Sequence, residues 1–260
     1  MTVPTGAWQR DWIQRHGGPL DRSTLVRYVQ TPSVFGDVRT PAGGIDVAGA
    51  TSFAELSDDQ LAALARQHGF AGFTTIDGAN ATWHHEIDFQ PIDDADGPDI
   101  GRIEPAGEGR MFEHALDDSY VESWSSLGGA GGPFLAAKLI QRGRVEQLIA
   151  VAAGHFVYAR ARATALPPGS SISELIARTR PAREAIIGYL DCEISYGSVA
   201  GWRVERSTLP WQVGQRLGLA DRIAIDGGGQ LVARAAAGAA WTTVVNTFSP
   251  AELRALFAAP

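Results

Sequence analysis

The sequence predicts a mainly β protein, built as antiparallel barrels with a few short helices. Three observations carry that expectation. Most of the chain alternates apolar and polar residues with period two, as half-buried strands do. About a dozen such runs are short and bounded by turn residues, which is the strand count of a barrel or a sandwich. Helical periodicity is confined to three short stretches, so strands and helices do not alternate as in a βαβ protein.

In chain order the predicted strands begin with 23–30, 34–39, 70–75, 82–90, 110–116 and 120–124. Residues 147–162 read as one long strand, followed by 184–196, 201–207, 222–226, 230–235 and 241–248. Asp117-Asp-Ser119 and Gly227-Gly-Gly229 are the expected hairpin turns. Ser57-Asp-Asp-Gln60 fits a capping box, with Leu61, Leu64 and Ala65 at helical spacing and Gly69 as the stop. Ser171-Ile-Ser-Glu174 opens a second short helix before Pro181. Ser249-Pro-Ala-Glu252 opens a third, with proline at the first helical position.

The order of elements hints at a duplication. VFGDVRTP, a capped helix, strands and EIDF occupy Val34 to Phe89; FVYARARA, a capped helix, strands and EISY occupy Phe156 to Tyr196. A repeat implies two barrels in tandem, and the glycine-rich stretch Leu127 to Pro133 is the natural boundary, giving units 1–126 and 134–260. The alternative is one larger barrel with a lid. The phrases YVQTPSVFGDVRTP, TWHHEIDFQP, FEHALDDSYVESW and LDCEISYGSVAGWRVERSTLPW resemble a group of double-domain, lipocalin-like (calycin) proteins of largely unassigned function. The resemblance implies two tandem up-and-down barrels, each able to hold a small apolar ligand. It implies no catalytic residues.

Composition bounds the partners. With 45% hydrophobic and 20% charged residues the chain suits a packed core rather than disorder. A net charge of −7, with no Lys/Arg run, argues against nucleic acid. The single cysteine, Cys192, cannot form an internal disulfide and points to a reducing compartment. No apolar leader and no run of roughly 20 apolar residues is visible, so a cytoplasmic protein without membrane insertion is expected. A second copy of the chain, as a homodimer, is admitted as a partner. Nucleotide loops, H-E-x-x-H and C-x-x-C are absent, so no cofactor and no metal are expected. Asp93 to Gly97 lacks the spacing of a calcium loop.

The candidate site starts from TWHHEIDFQP. Strict alternation places Trp83, His85, Ile87 and Phe89 on one face and His84, Glu86, Asp88 and Gln90 on the other. With the apolar face inward, Trp83, His85 and Phe89 line a cavity. With the polar face inward, His84, Glu86 and Asp88 form an acid–base set. His114 shares a face with Phe112 and Leu116 and is the candidate companion of His85 in the first barrel. Two cavity histidines would bind a metal or shuttle protons. Tyr120, Glu122 and Trp124 share one face of the next strand, where Tyr120 and Trp124 suit a barrel rim or pocket mouth.

Three functions fit these residues. The first is binding of a small, largely apolar molecule in a barrel, lined by Trp83, Phe89, Phe112, Tyr120 and Trp124. The second is an enzyme without an organic cofactor, a hydratase, isomerase, cyclase or lyase. Its acid–base groups would come from His84, His85, Glu86, Asp88 and His114. The third is a protein-interaction scaffold with filled barrels.

Overall fold

The computed structural model describes residues 4–47, 49–92, 97–128, 131–169, 171–219, 223–226, 231–233 and 241–258. The first half is a closed antiparallel barrel. Its strands are β1 (Gly6–Arg15), β2 (Leu20–Asp21), β3 (Thr24–Gln30), β4 (Val34–Pro41), β5 (His68–Asp77), β6 (Asn80–Asp88), β7 (Asp99–Pro105), β8 (Arg110–Ala115) and β9 (Tyr120–Gly128). Each pairs with its neighbour in sequence except at β1, which pairs with β3 on one side and β9 on the other. That double pairing closes eight strands into a ring, while the two-residue β2 extends β1 at one end. The helix α1 (Asp58–Leu64) links β4 to β5. Ser57 and Gln60 cap it reciprocally, and Leu61 and Leu64 are buried. Gly69 is not its stop; the helix ends at Leu64 and Gly69 already belongs to β5.

The second half contains β10 (Leu135–Gln141), β11 (Arg144–Ala152), β12 (His155–Arg160), β13 (Glu193–Ser198), β14 (Arg203–Ser207), β15 (Ile223–Ile225), β16 (Leu231–Ala233) and β17 (Trp241–Asn246). Among the described residues these form a six-stranded sheet, in the order β14-β13-β12-β11-β10-β17, and a separate β15–β16 ribbon. Three helices accompany them: α2 (Ile172–Thr179), α3 (Arg183–Leu190) and α4 (Pro250–Phe257). Ser171 and Ser249 cap α2 and α4, as their sequences predict.

Three local expectations are corrected. The long strand over 147–162 is a hairpin, because Ala153 (φ 58°) and Gly154 (φ 76°) both turn into the left-handed region. The strand expected from residue 184 begins at Glu193; the preceding residues form α3. A helix rather than strands therefore follows α2, so the order of elements expected from a duplication is not kept there. Strands β1, β2, β7 and β10 were not foreseen. The Gly227–Gly229 turn and most of the Asp93–Gly97 stretch lie outside the described residues.

The barrel and the second sheet pack face to face. Strand β4 is buried on both sides. Phe35, Asp37 and Arg39 turn into the barrel, and Val34, Gly36 and Val38 turn out against the second sheet. Val29, Ala71, Ile87 and Phe89 join that outer wall and meet Leu148, Ala150, Val157, Ala159 and Ile194. The other face of the second sheet carries Ile149, Val151, Phe156 and Tyr158, covered by Trp202, Trp241 and the buried Leu253 and Phe257 of α4. No helix among the described residues is long and apolar enough to cross a membrane.

Gly36 is where the two layers come closest. A Cβ there would lie 2.3 Å from Cγ1 of Val157. Gly36→Ala is therefore expected to destabilise the protein by about 1–3 kcal/mol through overpacking. Gly43→Ala, where a Cβ meets nothing within 4 Å, should change stability by less than about 0.5 kcal/mol. Urea denaturation of the two variants checks this; equal stabilities would mean the layers part easily.

Candidate functional site

The interior of the barrel is only partly filled. Trp8, Val26, Tyr28, Phe35, Ala81, Trp83, Ile103, Met111 and Trp124 pack inside it. Between them lies a cavity of about 290 Å³. For scale, a dry engineered cavity of about 150 Å³ accommodates benzene. Apolar and aromatic walls come from Tyr28, Phe70, Trp83, Met111 and Trp124. Charged and polar walls come from Asp37, Arg39, Asp99, Glu113, Tyr120 and Glu122.

Register explains the inward glutamates. Glu113 of β8 and Glu122 of β9 are direct cross-strand partners. Adjacent residues point to opposite faces. Glu113 therefore turns inward with Met111 and Ala115, and Glu122 with Tyr120 and Trp124. Both glutamates are buried, at 8% and 2% exposure. Arg10 of β1 forms an ion pair with Oε1 of Glu122, while Oε2 is enclosed and has no hydrogen-bond partner among the described residues. Tyr120 donates a hydrogen bond to Glu113 Oε1 at 3.0 Å. Burial raises the Glu113 pKa well above the usual carboxylate range, and the charges of Glu122 and Asp99 push it the same way. Arg39 and the Tyr120 hydrogen bond oppose the shift without cancelling it. Glu113 thus holds its proton more tightly than an ordinary glutamate, opposite a Glu122 side chain paired to arginine.

The remaining charges are compensated. Arg39 donates to both oxygens of Asp37, at 2.9 and 3.1 Å. The indole N–H of Trp83 donates to Tyr28 Oη at 2.9 Å, and the Tyr28 hydroxyl donates to Gln30. Burial pushes the Tyr28 and Tyr120 hydroxyls far above their ordinary pKa, so both remain donors. Trp124 Nε1 is enclosed without a partner.

A β-bulge shapes the wall at β6. Gly72 pairs with His85 and Ala71 with Ile87, so Glu86 is an extra residue. A Cβ on Gly72 would fall 1.9 Å from the His84 carbonyl oxygen, so glycine is needed opposite the bulge. The bulge reverses the alternation. Trp83, His85 and Asp88 come to one side; Ile87 and Phe89 turn to the outer wall. His85 Nδ1 lies 2.7 Å from Asp88 Oδ1, and its Nε2 lies 3.1 Å from Asp99 Oδ2. The ring stacks on Phe70 at 4.2 Å. Burial lowers the His85 pKa, but its bonds to the two aspartates and their charges outweigh burial and raise it to about 9. His85 therefore carries a positive charge and fixes Asp99, which lines the cavity.

The other candidate residues lie elsewhere. His84 points outward, stacked on Phe73 and hydrogen-bonded to Thr75 at 2.9 Å. Glu86 pairs with Lys138 of the second sheet, 2.6 Å away. The polar face of β6 is therefore not one acid–base set. Phe89 packs between barrel and sheet, with the Arg162 guanidinium over its ring. Phe112 and His114 are on the outside of the barrel, because the inward face of β8 is the one bearing Met111 and Glu113. Phe112 packs near Trp12, and His114 pairs with Glu104 at 3.1 Å. His155 opens β12 and meets the Tyr196 hydroxyl at 2.7 Å. Cys192 is buried, and burial pushes its thiol up to about 11. Trp83, Tyr120 and Trp124 are the expected residues that line the cavity. Asp37, Arg39, Asp99 and Glu113 were missed. The alternating Phe35-x-Asp37-x-Arg39 and Met111-x-Glu113 patterns contained all of them but Asp99.

No protein-family model matches the chain. No curated protein matches it. Among solved structures, the chain is similar to an uncharacterized protein from Bacteroides eggerthii DSM 20697, with 12% identity and a TM-score of 0.31. That match covers 48% of this chain and 99% of the other. A likeness at that level carries no inference about fold or function.

The charge on His85 makes a pH prediction. The raised folded value lies above the ordinary histidine value of about 6.5, so its stabilisation is complete below that pH. It is lost as pH rises through about 9. Wild type should therefore lose stability between those two values, and His85→Gln should lose distinctly less. Thermal melts across the range read this; parallel curves would contradict a charged His85.

Proposed function

We propose that the first barrel binds a small, largely apolar molecule whose one polar group meets the buried Glu113–Glu122 pair. The observation that carries this reading is the 290 Å³ cavity itself, walled by aromatic rings and ending on enclosed carboxyl groups. Apolar walls with a few convergent polar groups are how small-molecule sites are built. The rings would supply most of the affinity, and the carboxyl pair would orient the ligand. We read the first unit, residues 1–126, as lipocalin-like with its ligand inside the barrel. Residues 134–260 are then a second unit of related type, whose inner face α4 fills.

One observation favours a second reading. A neutral carboxylic acid directly opposite a paired carboxylate is an arrangement suited to proton transfer. Glu113 would donate a proton and Glu122 would accept one, in an isomerisation, hydration or elimination that needs no organic cofactor. On this reading the acid–base work passes from the histidines to the glutamates, with His85 positioning Asp99.

The test is native mass spectrometry of the purified protein, followed by thermal-shift screening with small apolar molecules. A retained molecule or a ligand-dependent rise in Tm is expected. Ala81 lines the cavity, so the added carbons of Ala81→Leu enter it. That variant should weaken any such ligand at least tenfold while keeping the β circular dichroism spectrum. No retained molecule, and no shift with any compound, would favour the filled-scaffold reading.

A further inference from the structure

Burying two glutamates directly across from one another is costly. Like charges at cross-strand positions repel, and with both side chains buried solvent screens them poorly. The sheet lowers the cost by keeping a proton on Glu113 and setting Arg10 against Glu122. One acceptor is still left over. Oε2 of Glu122 is enclosed, and among the described residues nothing donates to it.

The cations around the cavity are already engaged. Arg39 is held by both oxygens of Asp37, and His85 by Asp88 and Asp99. Arg10 is on Glu122, and Arg15, which also lines the cavity, is 70% exposed and within 4.0 Å of Asp21. Against them, Asp37, Asp99, Glu113 and Glu122 all line the cavity. Tyr28, Trp83 and Trp124 present ring surface to the same space, and ring faces attract cations.

Resting on the reading of the barrel as a ligand site, we infer that the ligand is a small hydrophobic amine, bound as its ammonium ion between Glu113 and Glu122. The ammonium N–H groups donate to Glu122 Oε2 and to Glu113. The positive charge replaces the proton on Glu113, so the cavity keeps its charge balance. That proton is released to solvent when the amine binds. The apolar body lies along Trp83, Phe70 and Met111. By the benzene comparison, the cavity suits a molecule of about a dozen non-hydrogen atoms. Trp124 Nε1, the other enclosed atom without a partner among the described residues that line the cavity, is a donor; a hydroxyl or ether oxygen elsewhere on the amine would satisfy it.

The proton exchange gives a sign. The groups facing Glu113 are Glu122 and Tyr120 from β9, Asp99 from β7, Arg39 and Asp37 from β4, and Tyr28 from β3. Glu113 must ionise to receive the ammonium. Affinity therefore rises with pH, by up to about tenfold per unit, until Glu113 is ionised in the free protein.

The experiment is isothermal titration calorimetry with 2-phenylethylamine, 2-phenylethanol and phenylacetate. It is run at neutral pH in two buffers of different ionisation enthalpy, on wild type and Glu113→Gln. The expected result is that the amine binds at least tenfold tighter than either analogue and releases close to one proton. Glu113→Gln should still bind it, with no proton release and no rise in affinity with pH. An alcohol as tight as the amine would overturn the amine assignment while leaving the cavity as a ligand site. So would phenylacetate binding preferentially with proton uptake. Binding by none of the three would overturn both.

Discussion

Two glutamates face each other inside the barrel, and the sheet around them must supply what water would otherwise provide. Arg10 reaches across from β1 to Glu122, Tyr120 donates to Glu113, and Glu113 keeps its proton. Each compensation depends on closure. Arg10 meets Glu122 because β1 pairs with β9 as well as β3. An open sheet would leave both carboxyl groups in water, ionised and unremarkable. In the ring they become a neutral acid and a paired base a single cross-strand step apart. Buried carboxyl groups held in different protonation states are the ordinary material of binding and acid–base sites.

The second sheet keeps that ring in shape from outside. β4 places Asp37 and Arg39 in the cavity wall while its opposite face packs on β12 and β13. Gly36 is the point of contact with Val157. The bulge at Glu86 serves both layers. It sends Ile87 and Phe89 outward to the apolar interface and leaves His85 and Asp88 together behind Asp99. A single inserted residue thereby separates the packing role of β6 from its electrostatic role.

Much of the fold was legible because it is local. The three serine caps, the Asp117–Ser119 turn and the shared face of Tyr120, Glu122 and Trp124 follow from short-range pattern. The faces of β6 and β8 were not legible. Strict alternation over TWHHEIDFQP joins Trp83 to Phe89, and only the pairing with Gly72 breaks that join. On β8 the apolar Phe112 pointed to the wrong face, because the strand turns Met111 and the polar Glu113 into the barrel and sets Phe112 outside it beside Trp12. β1 was hidden for a related reason. Its alternation is interrupted where Arg10 pairs with Trp124 and Trp12 with Ser123, leaving Asp11 as an extra residue. The glutamate pair became visible only once β8 and β9 were in register.

The account stands on the proton held by Glu113. The most direct measurement is a carboxyl ¹³C NMR titration of the protein, with the Glu113 resonance assigned by its loss in Glu113→Gln. The account predicts that this carboxyl titrates well above the ordinary glutamate value of about 4.3. Titration at that ordinary value would contradict the raised Glu113 pKa and the proton exchange built on it.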